Sequence, residues 1–134
     1  METDVAPPPV GAYVHYRREG DLLFLAGVGP RLPDGSGVAG GATRDEQDNA
    51  LEYDVVAQTE QVVANVRAIL EVAGSRLEKV IDVTVFLTDM QRDFADFNAT
   101  WAHHFDGLGV TRTTVEVGAL PTPIAVEFKV VARA

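Results

Sequence analysis

Near the end of the chain, two runs alternate apolar and polar residues. Val110–Val117 reads Val-Thr-Arg-Thr-Thr-Val-Glu-Val, and residues 124–132 read Ile-Ala-Val-Glu-Phe-Lys-Val-Val-Ala. Gly118-Ala119-Leu120-Pro121-Thr122-Pro123 connects them. A period of two marks a strand with one buried face. On that pattern Val115, Val117, Ile124, Val126, Phe128 and Val130 share the buried face, and Arg112, Thr114, Glu116, Ala125, Glu127 and Lys129 share the other. Arg112 and Glu127 are thereby expected side by side. Such a cation and carboxylate can hold an anionic substrate and activate water, or they can form a cross-strand ion pair. Spacing alone leaves both readings open.

The rest of the chain has to cover the apolar face of these strands. Tyr13–Arg18 and Leu22–Val28 are rich in strand formers, and Glu19-Gly20-Asp21 between them reads as a hairpin. Gly29–Asn49 is a long Gly/Pro/Asp-rich loop without periodicity. A helix is expected from Asp54, with Val55, Val62, Val66, Ile69 and Leu70 on its apolar side, Gln58, Glu60, Gln61, Arg67 and Glu71 on its polar side, and Gly74 just past its end. Val80–Leu87 is a third strand. Asp93 is expected to cap a second helix whose Phe94, Phe97, Trp101 and Phe105 form a core stripe. The order β-β-α-β-α-β-β predicts one α+β domain over residues 1–134, with helices on one face of a mixed sheet of five to six strands. Residues 1–11, with Pro7-Pro8-Pro9, are expected to be a loose arm. The polar yet β-branched second face of the sheet predicts an oligomer.

Composition narrows the function. The 134 residues carry 11 Lys plus Arg against 20 acidic residues, a net charge of −9, which argues against a nucleic-acid partner. No apolar run is long enough for a membrane span, and the acidic, Pro-rich start is unlike a targeting peptide, so a cytoplasmic protein is expected. The chain has no cysteine and only 3 histidines, of which His103 and His104 are adjacent and diverge by about 100° on a helix, so no metal site is expected. There is no nucleophile elbow, and the glycines at 35, 37, 40 and 41 lack the lysine of a phosphate loop.

Several words in order resemble the Rid (YjgF) family of imine/enamine deaminases, whose older label is endoribonuclease L-PSP. They are Gly11-Ala12-Tyr13; Gln58 through Gly74; Val83-Thr84-Val85-Phe86-Leu87-Thr88-Asp89-Met90; Phe97-Asn98-Ala99-Thr100-Trp101; Arg112-Thr113-Thr114-Val115-Glu116-Val117; and Val126-Glu127. Tyr13 to Asp21, Pro30 to Asp34 and Thr111 to Thr114 resemble the 2-aminomuconate deaminase branch. The chain departs from the family where Ala26-Gly27-Val28 replaces its usual Ser-Gly-Gln. The resemblance implies a chorismate-mutase-like homotrimer with clefts between subunits. It implies that Arg112 clamps a substrate carboxylate and that Glu127 activates water, with Tyr13, Asn98, Thr114 and Gly27 lining the cleft. Arg31 or Arg17 would meet a second carboxylate. No cofactor is required, because an imine carbon is already electrophilic. The alternatives are a non-catalytic carboxylate-binding trimer and a ribonuclease.

Overall fold

The computed structural model describes residues 3–134. Five strands and two helices follow in the order β1 (Tyr16–Glu19), β2 (Leu22–Leu25), α1 (Val55–Val72), β3 (Val80–Leu87), α2 (Met90–Phe105), β4 (Thr111–Glu116) and β5 (Val126–Arg133), with a 3₁₀ turn at Leu77–Lys79 before β3. They form one mixed sheet in the spatial order β1-β2-β5-β3-β4. Only β3 and β4 run parallel. Both helices pack on one face, giving the chorismate-mutase-like α+β fold.

Local chemistry sets most of the element ends. The β1–β2 hairpin turns where expected, with Glu19 opposite Leu22 and Gly20 at φ 60°. Helix α1 starts at Asp54, whose side chain accepts the Ala57 N–H at 3.1 Å. It ends with Gly74 at φ 81°, a conformation that costs a Cβ-bearing residue free energy, and the Ser75 N–H returns to the Leu70 carbonyl at 2.8 Å. The cap of α2 differs from expectation. Asp89, not Asp93, accepts the Arg92 N–H at 3.0 Å. Asp93 lies one turn inside, buried, and accepts a 2.6 Å bond from the Tyr53 hydroxyl. Burial, then that bond, push the Tyr53 phenol up to about 12. Either aspartate can cap a helix by type; the packing of Tyr53 recruits the second one inward.

The core lies between sheet and helices. Val62, Val66, Ile69 and Leu70 of α1 meet Leu23, Val83, Val85 and Val130 in one buried cluster. Phe97 packs edge-on against Phe128 with ring centroids 6.2 Å apart, and Trp101 and Phe105 also contact Phe128. Two further residues contradict a simple polar-out helix. Gln58, expected on the polar side, is fully buried and joins the Gly41 carbonyl (2.9 Å) to the Ala125 N–H (2.8 Å). Asn65, also buried, donates to the carbonyls of Gly29 and Arg31, each at 2.9 Å. The Gly29–Asn49 loop is thereby tied to α1 at several points. The segment expected to be a loose arm is also fastened: Ala6 is 3% exposed, and His15 and Arg31 hold the backbone at Thr3, Pro7 and Pro8.

Phe97→Ala removes the ring at the centre of the aromatic cluster. It is expected to lower stability by about 3–5 kcal/mol, read as a shift of the urea midpoint with unchanged slope.

Candidate functional site

The register decides which side chains can meet. Across β4, β3 and β5, Arg112 is opposite Val83, and Val83 is opposite Val130. Partners across a sheet point to the same side. Arg112 and Thr114 therefore share the helix-covered face with Val83, Val85, Phe128 and Val130. Glu127 is opposite Phe86, and Phe86 is opposite Val115, so these three share the open face. Arg112 and Glu127 thus lie on opposite faces of one sheet, and neither expectation drawn from their alternation, neighbouring site groups or an ion pair within one chain, holds. The physical reason is phase. The alternation of Val110–Val117 fixes a period but not which phase is buried. At the edge strand β4 the aromatic stripe of α2 covers Arg112, while Val115 stands 37% exposed. In β5 the expected phase holds, with Val126, Phe128 and Val130 fully buried, while Ala125, expected on the exposed face, lies just before the strand and is fully buried.

Each residue sits in a group of its own. The Arg112 guanidinium carbon lies 5.0 Å from the Trp101 ring centroid, 5.3 Å from Phe97 and 5.8 Å from Phe94. The rings offer it cation–π attraction and shield one side from water. Burial lowers its pKa from the ordinary value, yet an arginine stays charged at neutral pH. It has no acidic partner among the described residues. Thr114 follows two positions on, half-buried on the same face. Asn98 is exposed on α2, one turn from Phe94 and from Trp101. Arg112 and Thr114 therefore lie together at the β4–α2 edge, with Asn98 on the exposed side of the covering helix.

The second group surrounds Glu127. Its carboxylate packs against Gly27: a Cβ built on Gly27 would stand 2.8 Å from Oε2 and 2.9 Å from Cδ. Only glycine leaves that space. Burial alone pushes the Glu127 carboxyl up from its ordinary value, and among the described residues no cation or donor offsets it. Lys129, two residues on, donates its ammonium to the Leu25 carbonyl. Gly27 also lines a cavity of about 40 Å³ with Tyr13, His15 and Arg31, roofed by Ala6, Pro7 and Pro9. Arg31 donates to the Pro8 carbonyl at 2.8 Å. Arg17, by contrast, is spent on Glu19 at 3.0 Å and lies away from this cavity.

The expected site residues thus fall into separate groups: Arg112 and Thr114 at the β4–α2 edge, Glu127 packed against Gly27 on the open face, and Tyr13 and Arg31 in the small cavity that Gly27 also lines. Sequence reasoning missed Asn65, whose amide fixes both Gly29 and Arg31, although an amide on the apolar side of a helical wheel is a signal for such a role. A larger groove of about 750 Å³ lies between residues 43–53 and 118–124, beside Arg92, and holds none of the expected site residues. Among the described residues no cluster of His, Cys, Asp and Glu could hold a metal, and no helix is long and apolar enough to cross a membrane.

Comparison with known proteins places this architecture. Residues 3–134 match the family described as Endoribonuclease L-PSP. A RutC family protein of Pyrococcus horikoshii is 38% identical over 130 residues, covering 97% of this chain and 93% of its own. Among solved structures, RidA from the Antarctic bacterium Psychrobacter superposes with a TM-score of 0.81 at 30% identity, covering 100% of this chain and 98% of that one. Escherichia coli TdcF, solved with bound serine, gives 0.79 at 31%, covering 100% and 97%. The chain belongs to the endoribonuclease L-PSP family, that is, the Rid/YjgF family.

A carboxyl whose pKa is raised by burial favours its protonated form in the fold. The stability it contributes is present below the unfolded-state pKa and is lost as pH rises through the folded one. Glu127→Gln is therefore expected to raise the melting temperature at pH 7. The gain should shrink toward zero as pH falls below the ordinary glutamate range, measured by calorimetry at pH 7 and pH 4.

Proposed function

We propose that this chain is a cofactor-independent deaminase that hydrolyses small imines carrying a carboxylate, working as a homotrimer with its sites between subunits. The observation that carries the reading is the separation of Arg112 from Glu127. Arg112 is charged, partly desolvated and without an acidic partner among the described residues; Glu127 is half-buried and without a partner among them; and one sheet separates them. Apposing the β4–α2 edge of one subunit to the Glu127 side of a neighbour brings the two together. The open face supports such an assembly, because it presents Phe24, Phe86, Val115 and Val131 among polar residues, more apolar surface than a wet sheet keeps. The TdcF structure with bound serine supports a small amino- or carboxyl-bearing ligand.

The chemistry follows from the groups. Arg112 binds the substrate carboxylate bidentately through its fixed fork. Thr114, beside it, and Asn98 orient the substrate or a water. The Glu127 carboxylate accepts a proton from water as the oxygen attacks the iminium carbon, giving a carbinolamine. The protonated Glu127 then passes that proton to the amine nitrogen, and as the C–N bond breaks and ammonia leaves, Glu127 takes the hydroxyl proton and the carbonyl forms. An enamine substrate first takes a proton on carbon to become the imine. A carboxyl with a raised pKa suits this alternation of base and acid near neutrality. Arg31, in the cavity that Gly27 lines, meets a second carboxylate when the substrate is a dicarboxylate of the 2-aminomuconate kind. The acidic balance of the chain, −9, weighs against RNA as the substrate.

Ammonia release from freshly generated 2-aminoacrylate and 2-aminomuconate, against buffer, tests the activity; no acceleration of either sinks it. Arg112→Ala is expected to cut kcat/KM by about 10–100-fold, mostly through KM. Glu127→Gln is expected to cut kcat by about 10²–10⁴-fold while carboxylate binding persists. A binding protein without catalysis would have no turnover to lose in either variant.

Assembly is tested separately. Phe24→Arg, on the open face, is expected to shift the chain from trimer toward monomer in sedimentation velocity with its helical content retained. A protein already monomeric before substitution removes the shared site.

A further inference from the structure

Residues 3–9 run past a small cavity lined by Gly27 and Arg31, with Ala6, Pro7 and Pro9 in its wall, and they are held mainly by side chains of the body of the protein. No ladder of backbone bonds fixes them, and Pro7, Pro8 and Pro9 cannot join one. Side chains from the body of the protein grip their backbone. The Thr3 N–H donates to His15 Nδ1 at 3.1 Å, His15 Nε2 donates to the Pro7 carbonyl at 2.8 Å, and Arg31 Nη2 donates to the Pro8 carbonyl at 2.8 Å. Because a carbonyl can only accept, His15 carries its proton on Nε2 and both ring nitrogens are used. One small side chain, Ala6, plugs into the core, 3% exposed.

Beneath this strap lies the cavity of about 40 Å³ that reaches Gly27. It holds a water or two, whereas pockets for small organic ligands run to about 300 Å³ and more. Ala6, Pro7 and Pro9 form its roof, while Asn65 fixes the Arg31 backbone from below. An organic ligand therefore fits only if part of this lining moves.

Arg31 is the one charged side chain in that lining, and it spends its charge on a neutral carbonyl. It has no acidic partner among the described residues. A hydrogen bond from a guanidinium to a carboxylate is roughly twice as strong as one between neutral groups. A carboxylate arriving at the cavity competes favourably for Arg31.

We propose that residues 3–9 are a strap released by an anion: a small carboxylate at the Gly27 cavity takes Arg31 from the Pro8 carbonyl, the strap swings out, and the cavity beside Gly27 opens. The mechanism goes beyond the deaminase reading and rests on it only in taking the ligand to be a carboxylate.

The chain has no cysteine, so Ala6→Cys introduces a single reporter under the strap. Its reaction with neutral N-ethylmaleimide measures strap opening. Succinate is expected to speed that reaction about fivefold or more, with acetate of matched ionic strength weaker. Adding Arg31→Ala is expected to leave the cysteine fast whether succinate is present or not. A rate insensitive both to saturating succinate and to Arg31→Ala overturns the proposal. Where the cysteine variant does not fold, hydrogen exchange at the Thr3 and Val5 amides of the unaltered chain reads the same opening and decides in the same way. Ammonia release on the same preparations separates the two readings. Turnover with a strap that never opens sinks the strap alone, and a strap that opens without turnover sinks the deaminase alone.

Discussion

The aromatic face of α2 on Phe128 is the contact from which the rest of the arrangement follows. Phe97, Trp101 and Phe105 converge on that ring, and a buried aromatic cluster of this kind outweighs any single polar preference nearby. Once Phe128 points at the helices, the pleat sends Glu127 to the opposite side. The same rings extend past the sheet core to its edge, where they lie under Arg112. One packing decision thus places the carboxylate on one face and the guanidinium on the other, and it gives the guanidinium an apolar floor with no ion-pairing carboxylate among the described residues.

Two buried amides translate that packing into a fixed loop. Gln58 and Asn65 sit among apolar residues of α1, where an unpaired amide would cost about 1–3 kcal/mol. Both are satisfied by backbone groups outside the helix, and no buried side-chain polar atom among the described residues lacks a partner. Gln58 joins the loop at Gly41 to the entry of β5 at Ala125, one residue before the strand that carries Glu127. Asn65 holds Gly29 and Arg31. A long connection without secondary structure, which composition alone reads as mobile, is therefore pinned on the side facing the site.

Electrostatics sharpens the picture. In a chain with nearly twice as many acids as bases, cations are expected to find carboxylates, and Arg17, Arg44, Arg76 and Arg92 do. Among the described residues Arg112 and Arg31 do not, nor do Arg18, Arg67, Arg133 and the two lysines. Arg112 is held by rings and Arg31 by a backbone carbonyl, which fixes the side chain without neutralising it. Glu127 is the complementary case, a carboxylate in a space that only Gly27 leaves open, its proton affinity raised by burial. Charges kept unpaired while their surroundings are ordered are the usual preparation for a ligand.

The amino-acid sequence by itself determined the elements and their ends with few errors, because those depend on period and on caps. The hairpin at Gly20, the start of α1 at Asp54, its stop at Gly74 and the limits of β3 are all local chemistry. The ordered words spread along the chain also identified the family. The sequence could not say which phase of the alternation in β4 faces the helices, which of Asp89 and Asp93 caps α2, or that Gln58 and the segment around Ala6 are buried. Those are set by partners distant in the chain: the α2 rings against Arg112, Tyr53 against Asp93, Ala125 against Gln58, His15 and Arg31 against the backbone of residues 3–8. A period is a property of one strand, but a phase is a property of what packs on it, and only the tertiary structure supplies that. It is why one stretch of sequence seemed to hold Arg112 and Glu127 together and the folded sheet holds them apart.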